Sequence, residues 1–162
     1  MRVLVIGVSG FLGSHVSSAL VAAGHQVMGT SRRGGDGSLV HSLGETLSPE
    51  VRVFGPEVVV DLAWEGIPDF SLERCRANVD GQKALFDELA GLETLRRLVV
   101  AGTCREYGDA VGLATGIPDP VDDFGRAKDE VHQLAVDRCL KSGISLTWFR
   151  IFYVYGRGQR LG

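Results

Sequence analysis

The chain has 162 residues, enough for one domain with a full-sized hydrophobic core and too few for two ordinary domains. Hydrophobic residues make up 44% of the sequence and charged residues 23%, which is typical of a globular protein that is soluble in water. The net charge of −3 argues against nucleic acid or an anionic membrane as a partner.

The cysteines and the apolar segments indicate where the protein acts. Cys75, Cys104 and Cys139 are an odd number without metal-ligand spacing, which favours a reducing compartment and small buried hydrophobic residues over disulfides. The apolar N-terminus is interrupted by glycines and shows no signal-peptide cleavage pattern. No apolar run approaches the roughly 20 residues that a bilayer-spanning helix needs. These features predict a cytoplasmic protein.

Apolar patterning predicts strands that alternate with helices. Short apolar runs predict buried strands at 2–6, 27–30, 58–63, 97–101 and 145–151, and helical spacing predicts helices at about 11–23, 72–90 and 124–141. The Gly- and Ser-rich region from Arg33 to Pro56 is harder to interpret; it predicts a weak strand near Leu39 and a short helix around Glu45. Continuously apolar strands between helices indicate a doubly wound parallel α/β sheet, that is, a Rossmann fold, in one domain over 1–162.

A glycine-rich turn follows the first predicted strand, with the sequence GVSGFLGS. Gly7, Gly10 and Gly13 have the spacing GxxGxxG. Such a turn lets the backbone approach a diphosphate closely and points a helix N-terminus at the negative charge. The position between a strand and a helix favours a dinucleotide-binding loop. The alternative is that the three glycines only pack the helix against the strand.

The second predicted strand ends in the sequence GTSRR. Sites that prefer NAD place an acidic residue here for the ribose hydroxyls, whereas the 2′-phosphate of NADP needs cations and hydroxyl donors. Ser31 stands at the expected acidic position, and Arg32 and Arg33 follow it. The sequence therefore predicts NADP rather than NAD, unless the arginines belong to a solvated loop.

Six segments in chain order resemble one family, the extended short-chain dehydrogenases/reductases, and more narrowly its NAD(P)-dependent nucleotide-sugar epimerases and dehydratases. The segments are GVSGFLGS at 7–14, DLAW at 61–64, NVDGQKALFDEL at 78–89, VVAGTCREYG at 99–108, FGRAK at 124–128 and RIFYVYGRGQ at 150–159. The resemblance implies cofactor contacts from the glycine loop, from the ends of two further strands and from two helices. These residues are Gly7, Ser9, Gly10, Phe11, Leu12, Gly13, Ser31, Arg32, Arg33, Leu62, Ala63, Trp64, Asn78 and Lys128.

The resemblance also implies a catalytic set. Thr103 would hydrogen-bond the substrate oxygen, and Lys128 would bind the cofactor ribose. In the family this lysine lowers the pKa of a catalytic tyrosine from about 10 toward neutrality, so that the phenol exchanges the proton that accompanies hydride transfer. Phe124 occupies the position of that tyrosine and has no ionisable proton.

Three interpretations of Phe124 remain open. The protein has lost its acid, at a cost of about 10² to 10⁴ in rate; or Tyr107 substitutes for it; or the segment is an ordinary helix start with Phe124 in the core. We prefer the first interpretation. Cys104 and Arg105 stand where dehydratases of the family carry an acidic pair, which argues against a dehydratase mechanism.

The resemblance further implies a C-terminal substrate domain beyond the point where this chain stops. The expected function is therefore that of the NAD(P)-binding domain of a nucleotide-sugar epimerase, dehydratase or reductase, with weak or lost chemistry. The alternative is a non-catalytic module that binds or senses NADP. Helices matching 72–90 and 124–141 pair as a four-helix bundle in the family, which predicts a homodimer.

Overall fold

Strands and helices alternate along the part of the chain that the structure describes, a computed structural model covering residues 1–35, 37–109, 111–112 and 117–159. The last three residues of the predicted domain lie outside this described part. The strands are β1 (Arg2–Ile6), β2 (Gln26–Ser31), β3 (Leu39–Val40), β4 (Val58–Asp61), β5 (Arg97–Thr103) and β6 (Ser145–Ile151). The α-helices are α1 (Phe11–Ala22), α2 (Pro49–Phe54), α3 (Leu72–Ala90) and α4 (Asp123–Ser142).

All six strands form one parallel sheet in the order β3-β2-β1-β4-β5-β6. The chain runs from β1 outward to β3 and then returns to the other side of β1 with β4. The predicted doubly wound fold is thus confirmed. In such sheets ligands bind outside the carboxyl ends of the strands at the point where the winding reverses, which here lies between β1 and β4.

Alternate residues of the central strands face two different helical layers. Leu4, Ile6, Val59 and Val100 belong to the core under α2, α3 and α4, while Val3, Val5 and Val60 face α1. Because helices lie on both faces of the sheet, the middle of these strands is apolar on both faces instead of alternating with polar residues. α3 and α4 pack side by side over the larger core.

The layer on the α1 face leaves part of the sheet open. An apolar trough of about 460 Å³ runs beside α1 over β4, β5 and β6. Its apolar lining includes Leu12, Val16, Leu20, Val60, Val99, Phe149 and Ile151.

In the described residues, no helix combines the length and the apolar character that crossing a membrane requires.

Two elements differ from the sequence prediction. The short helix predicted around Glu45 is wrong: the helix in this region is α2, which begins at Pro49 after the N-cap residue Ser48. Proline suits a first helical position because the N–H that it lacks has no intrahelical partner there. A 3₁₀-helix at Cys104–Tyr107 also lies where the sequence predicts neither a helix nor a strand.

Candidate functional site

The turn after β1 depends on two glycines. Gly7 has a φ of 84°, in the left-handed region that favours glycine, and its carbonyl accepts a hydrogen bond from the N–H of Gly10. Gly13 lies inside α1, and a Cβ there would collide with the carbonyl oxygen of Gly7 and approach the Cα of Val8 to 2.8 Å. The helix can therefore lie this close to the turn only with glycine at 13.

The N-terminus of α1 has no cap from its own sequence. Gly10 is the N-cap residue and offers no side chain, and the first turn contains no acidic residue. The first N–H groups of a helix lack intrahelical partners and carry partial positive charge. This combination of free donors and close backbone approach suits an anionic group such as a diphosphate.

A cavity of about 130 Å³ opens beside this turn, at the carboxyl ends of the central strands. It is lined by eight of the predicted cofactor residues: Gly7, Ser9, Gly10, Ser31, Arg32, Leu62, Ala63 and Trp64. Ile6, His41, Leu43 and Glu65 also line it and were not predicted. Phe11, Leu12, Gly13, Arg33, Asn78 and Lys128 were predicted but do not line it.

At the end of β2 an arginine lines the cavity, whereas the hydroxyl of the preceding serine is already hydrogen-bonded within the protein. The Ser31 hydroxyl is buried and lies 3.0 Å from the Ser38 hydroxyl. Arg32 and Arg33 are exposed, and Arg32 lines the cavity. Of the predicted 2′-phosphate ligands, Arg32 is therefore the one best placed to meet a bound nucleotide.

Two buried amides of α3 hold the loop that follows β4. Asn78 accepts from the N–H of Glu65 at 2.7 Å and donates to its carbonyl at 2.9 Å, while Gln82 donates to the carbonyl of Ala63 at 3.0 Å. Both side chains are buried. Asn78 thus acts on the cavity indirectly, by fixing the position of the wall at 63–65.

Lys128 lies under this wall, with 6% of its surface exposed. Its ammonium donates to the carbonyl of Ala101 at 2.9 Å and lies 4.3 Å from the centre of the Trp64 ring. Burial lowers the pKa of Lys128 to about 8, against the opposing charges of Asp61 and Glu106. Trp64 therefore connects the cavity on one side with a buried cation on the other.

Asp61, the last residue of β4, is a second buried ionisable group at this place. Its Oδ1 accepts from the N–H of Ala63 at 3.0 Å, and its Oδ2 has no partner in the described part of the chain. Burial raises the pKa of Asp61 to about 6, against the N–H of Ala63 and the charge of Lys128. The carboxyl end of β4 and the N-terminal part of α4 thus bring together a carboxyl group and an amine that each have a perturbed pKa and whose charges interact.

Phe124 lies in the first turn of α4 within a small aromatic cluster. Its ring contacts Trp64 edge-on at 5.2 Å and Phe70 at 4.7 Å between centroids. Arg105 covers the rings of Phe70 and Phe124 at 5.6 and 5.8 Å and is paired with Asp122, the N-cap residue of α4. The segment is a helix start, as the sequence predicts, and Phe124 is half-buried.

Thr103 ends β5 and caps the 3₁₀-helix. Its Oγ1 accepts from the N–H of Arg105 at 3.3 Å, and its own N–H donates to Oε1 of Glu106 at 2.8 Å. Glu106 is fully buried and also accepts from Arg150 at 2.6 Å and from Trp148 at 3.0 Å. The backbone of Thr103 is thereby fixed to a buried ion pair.

A possible metal site also involves Glu106. One ligand atom each of Glu106, Asp129 and His132 lies within 4.8 Å of the other two. The guanidinium of Arg150 already neutralises the Glu106 carboxylate. A cation would have to compete with this arginine, so the cluster does not favour metal binding.

Comparison with known proteins places this site in a family. The model of the NAD dependent epimerase/dehydratase family matches residues 3–162. The chain belongs to this family. The predicted membership is confirmed over nearly the whole sequence.

Relatives within the epimerase/dehydratase family act on nucleotide sugars according to their names. A probable UDP-glucuronate 4-epimerase of Rhizobium meliloti is 26% identical over 184 residues, which cover 96% of this chain and 54% of the relative. A dTDP-6-deoxy-L-talose 4-dehydrogenase (NAD(+)) of Aggregatibacter actinomycetemcomitans is 27% identical, with 96% of this chain and 62% of the relative covered.

A solved structure of MoeE5 in complex with UDP-glucose and NAD is 28% identical and superposes with a TM-score of 0.81. It covers 99% of this chain, which in turn covers 57% of MoeE5. The present chain therefore spans little more than half the length of the family members that it matches. The cofactor bound in this solved relative is NAD, whereas the sequence here predicts NADP.

His41 lines the cavity beside the glycine-rich turn, although the sequence did not predict it as a site residue. The structure buries it to 5% exposure beside the cavity. Burial lowers the pKa of its imidazole below the ordinary value, against the charges of Glu45, Glu88 and Glu65. Its position directly after β3 is the signal that could have found it, had the two-residue strand been predicted firmly.

Proposed function

We propose that this chain is the NAD(P)-binding domain of a nucleotide-sugar epimerase-, dehydratase- or reductase-like protein and that it prefers NADP. The observation that carries the proposal is the backbone approach at Gly13, where a Cβ has no room between α1 and the carbonyl of Gly7. This packing, an uncapped helix N-terminus and an adjoining cavity are the features that dinucleotide binding requires.

Within this proposal each part of the cavity has a role. The N–H groups at Phe11–Gly13, in the first turn of α1, bind the diphosphate, and Arg32 binds the 2′-phosphate through a charge-assisted hydrogen bond. Leu62 and Ala63 form an apolar wall beside the nucleotide. Asn78 fixes that wall from behind through Glu65.

The catalytic end of the site is proposed to be impaired. A bound nicotinamide supplies hydride acceptance and donation at a sugar carbon. The hydroxyl of Thr103 would donate a hydrogen bond to the sugar oxygen. Lys128 would bind the cofactor ribose and stabilise negative charge close to it. Phe124 holds no proton to exchange, so proton transfer would be slowed by about 10² to 10⁴.

A second function is proposed from the same observations. Phe124 packs against Trp64 and Phe70, and Lys128 is engaged with Ala101, so the tyrosine position is integrated into stable packing. This arrangement suits a module that binds or senses NADP without turnover. The side-by-side packing of α3 and α4 is compatible with dimerisation through these helices. The homodimer and the cytoplasmic location remain predictions.

The test begins with binding. NADPH and NADH are titrated against the full chain by fluorescence, and saturable binding with tighter affinity for NADPH is expected. A chain that binds neither NADPH nor NADH would overturn the proposal.

The second step separates the two functions. Oxidation of UDP-glucose is measured with the wild type and with Phe124→Tyr at saturating cofactor. Turnover that appears only in the variant identifies an impaired enzyme. Binding without turnover in either protein is the result expected of the binding module for this chain by itself, and sedimentation with and without NADPH then tests the dimer.

A further inference from the structure

The cavity beside the glycine-rich turn is smaller than a whole dinucleotide needs. It measures about 130 Å³, whereas pockets for drug-sized molecules measure about 300 to 1,000 Å³. In a doubly wound sheet the two halves of a dinucleotide lie on opposite sides of the point where the winding reverses. Arg32 lines the cavity on the β2 side of β1, and Trp64 lines it on the β4 side. The second half of a dinucleotide would therefore meet Trp64.

Trp64 covers two residues that lie beyond the cavity. The ammonium of Lys128 lies over the indole, 4.3 Å from the ring centre, and the ring of Phe124 contacts the indole edge-on. Lys128 is 6% exposed and is not among the residues that line the cavity. Burial holds its pKa at about 8, below the ordinary 10.5, as expected of an amine that is shut off from water. A ribose in the cavity cannot reach this amine while the indole stays in place.

The indole is the part of this wall that can move. The two buried amides of α3 bind the backbone of Ala63 and Glu65, and a Cβ at Gly7 would lie 3.3 Å from the backbone nitrogen of Ala63. The wall is thus fixed from behind and packed closely against the turn in front. By contrast, Nε1 of Trp64 is buried and has no hydrogen-bond partner in the described part of the chain. An N–H that has lost water without gaining a partner favours a position in which it is exposed.

We propose that Trp64 gates the cofactor site: its indole closes the cavity over Lys128, and the nicotinamide half of a dinucleotide binds only after the indole has rotated away. The inference rests on the proposed nucleotide-binding function. The closed site accepts the adenosine half without this change. Trp64 therefore determines how much tighter a whole dinucleotide binds than its adenosine half.

The contact between Trp64 and Lys128 sets the size of the effect. The apparent affinity of a ligand is reduced by the fraction of the protein that is in the binding-competent form. A cation over an aromatic face is worth about three- to thirtyfold in such an equilibrium, depending on how far it is shielded from water. Only a ligand that needs the open form is weakened by this factor.

The first test compares a whole dinucleotide with its adenosine half. NADPH and 2′,5′-ADP are titrated calorimetrically against the wild type, Trp64→Ala and Phe70→Leu, with NADH and ADP in their place if the wild type prefers NADH. Phe70→Leu is the control, because Phe70 packs on Phe124 in the same aromatic cluster without lining the cavity. We expect Trp64→Ala to bind NADPH about three- to thirtyfold tighter and 2′,5′-ADP within about twofold of the wild type. Phe70→Leu should leave both affinities unchanged.

The second test follows the indole in the wild type and does not depend on the stability of a variant. A proton over the face of an aromatic ring resonates upfield, so the Cε protons of Lys128 should lie upfield of those of the exposed Lys83 and Lys141. Saturating NADPH should remove this upfield shift, and saturating 2′,5′-ADP should leave it in place. The resonances of Lys83 and Lys141 should not change with either ligand.

The outcomes separate the gate from nucleotide binding itself. An upfield shift of Lys128 that persists with bound NADPH would overturn the inference. Trp64→Ala affinities that change equally for both ligands, or NADPH binding that is unchanged or weaker in this variant, would also overturn it. All of these results leave nucleotide binding intact. A wild type that binds none of the four nucleotides would overturn the proposed function together with the gate.

Discussion

The substitution Gly13→Ala tests the packing on which the proposed nucleotide binding depends. The added Cβ would lie 2.8 Å from the Cα of Val8 and 2.9 Å from the carbonyl carbon of Gly7, and it would overlap the carbonyl oxygen. All three atoms belong to the backbone, so no side-chain rotation can relieve the contact. The helix α1 must move away from the turn instead.

We expect Gly13→Ala to lower the free energy of unfolding, although helix propensity alone would raise it. Alanine inside a helix is ordinarily favoured over glycine by about 1 kcal/mol. Overpacking of a rigid site costs about 1 to 3 kcal/mol, and the movement of α1 also displaces the N–H groups that would bind the diphosphate. We therefore expect the free energy of unfolding to fall by up to about 2 kcal/mol, and the NADPH affinity to fall at least tenfold, which is about 1.4 kcal/mol.

Urea denaturation and NADPH fluorescence titration measure the two effects separately. Gly91→Ala is the control, because a Cβ at 91 would meet its nearest atom, the carbonyl oxygen of Glu88, at an ordinary 3.4 Å. A Gly13→Ala protein that is as stable as the wild type and binds NADPH equally well would refute the reasoning. It would show that α1 does not need its close approach to the turn.

Three further substitutions and one control, Asp123→Asn, test the charged groups. Arg32→Ala should weaken NADPH binding about tenfold or more and leave NADH within about twofold, since only NADPH has the 2′-phosphate; an equal loss for both would contradict the NADP preference. Glu106→Gln should cost about 3 to 5 kcal/mol in urea unfolding because it leaves Arg150 without its buried partner, whereas Asp123→Asn, which removes an exposed pair, should cost less than about 1 kcal/mol. Lys128 has a pKa of about 8 in the folded protein and an ordinary pKa of 10.5 in the unfolded chain. Between pH 8 and pH 10.5 the folded state therefore binds fewer protons than the unfolded state. The free energy of unfolding of the wild type should consequently rise by up to about 3 kcal/mol over this pH range. Lys128→Met should lose this gain relative to wild type, and parallel pH profiles would contradict the perturbed pKa.

The sequence predicted the sheet well because its central strands are buried on both faces. The runs at 3–6 and 58–60 are apolar throughout, and each strand is followed by a glycine-rich turn or a loop. The start of α1 was predicted at about residue 11, where the helix begins, since glycine positions fix the turn before it. These signals are local, and a single sequence contains them in full.

The region between β2 and β4 could not be predicted in the same way. The loop that follows β3 is held by Glu65 and Glu88, which accept from the N–H groups of Leu43 and Leu47. These carboxylates come from distant parts of the chain, so the local pattern does not contain the information. The burial of His41 follows from the same long-range contacts and was missed for the same reason.

The surroundings of Phe124 determine how its replacement by tyrosine can be interpreted. Lys128 is held by the carbonyl of Ala101 and by the face of Trp64, so its position does not depend on a phenol at 124. A tyrosine that keeps the wild-type stability and gains turnover would therefore show that only the proton donor was missing. A tyrosine that destabilises the fold would show that the contacts with Phe70 and Trp64 have adapted to a ring without a hydroxyl. The second result, together with unchanged NADPH binding, would favour the binding module, because restoring the acid would then require repacking of the whole aromatic cluster.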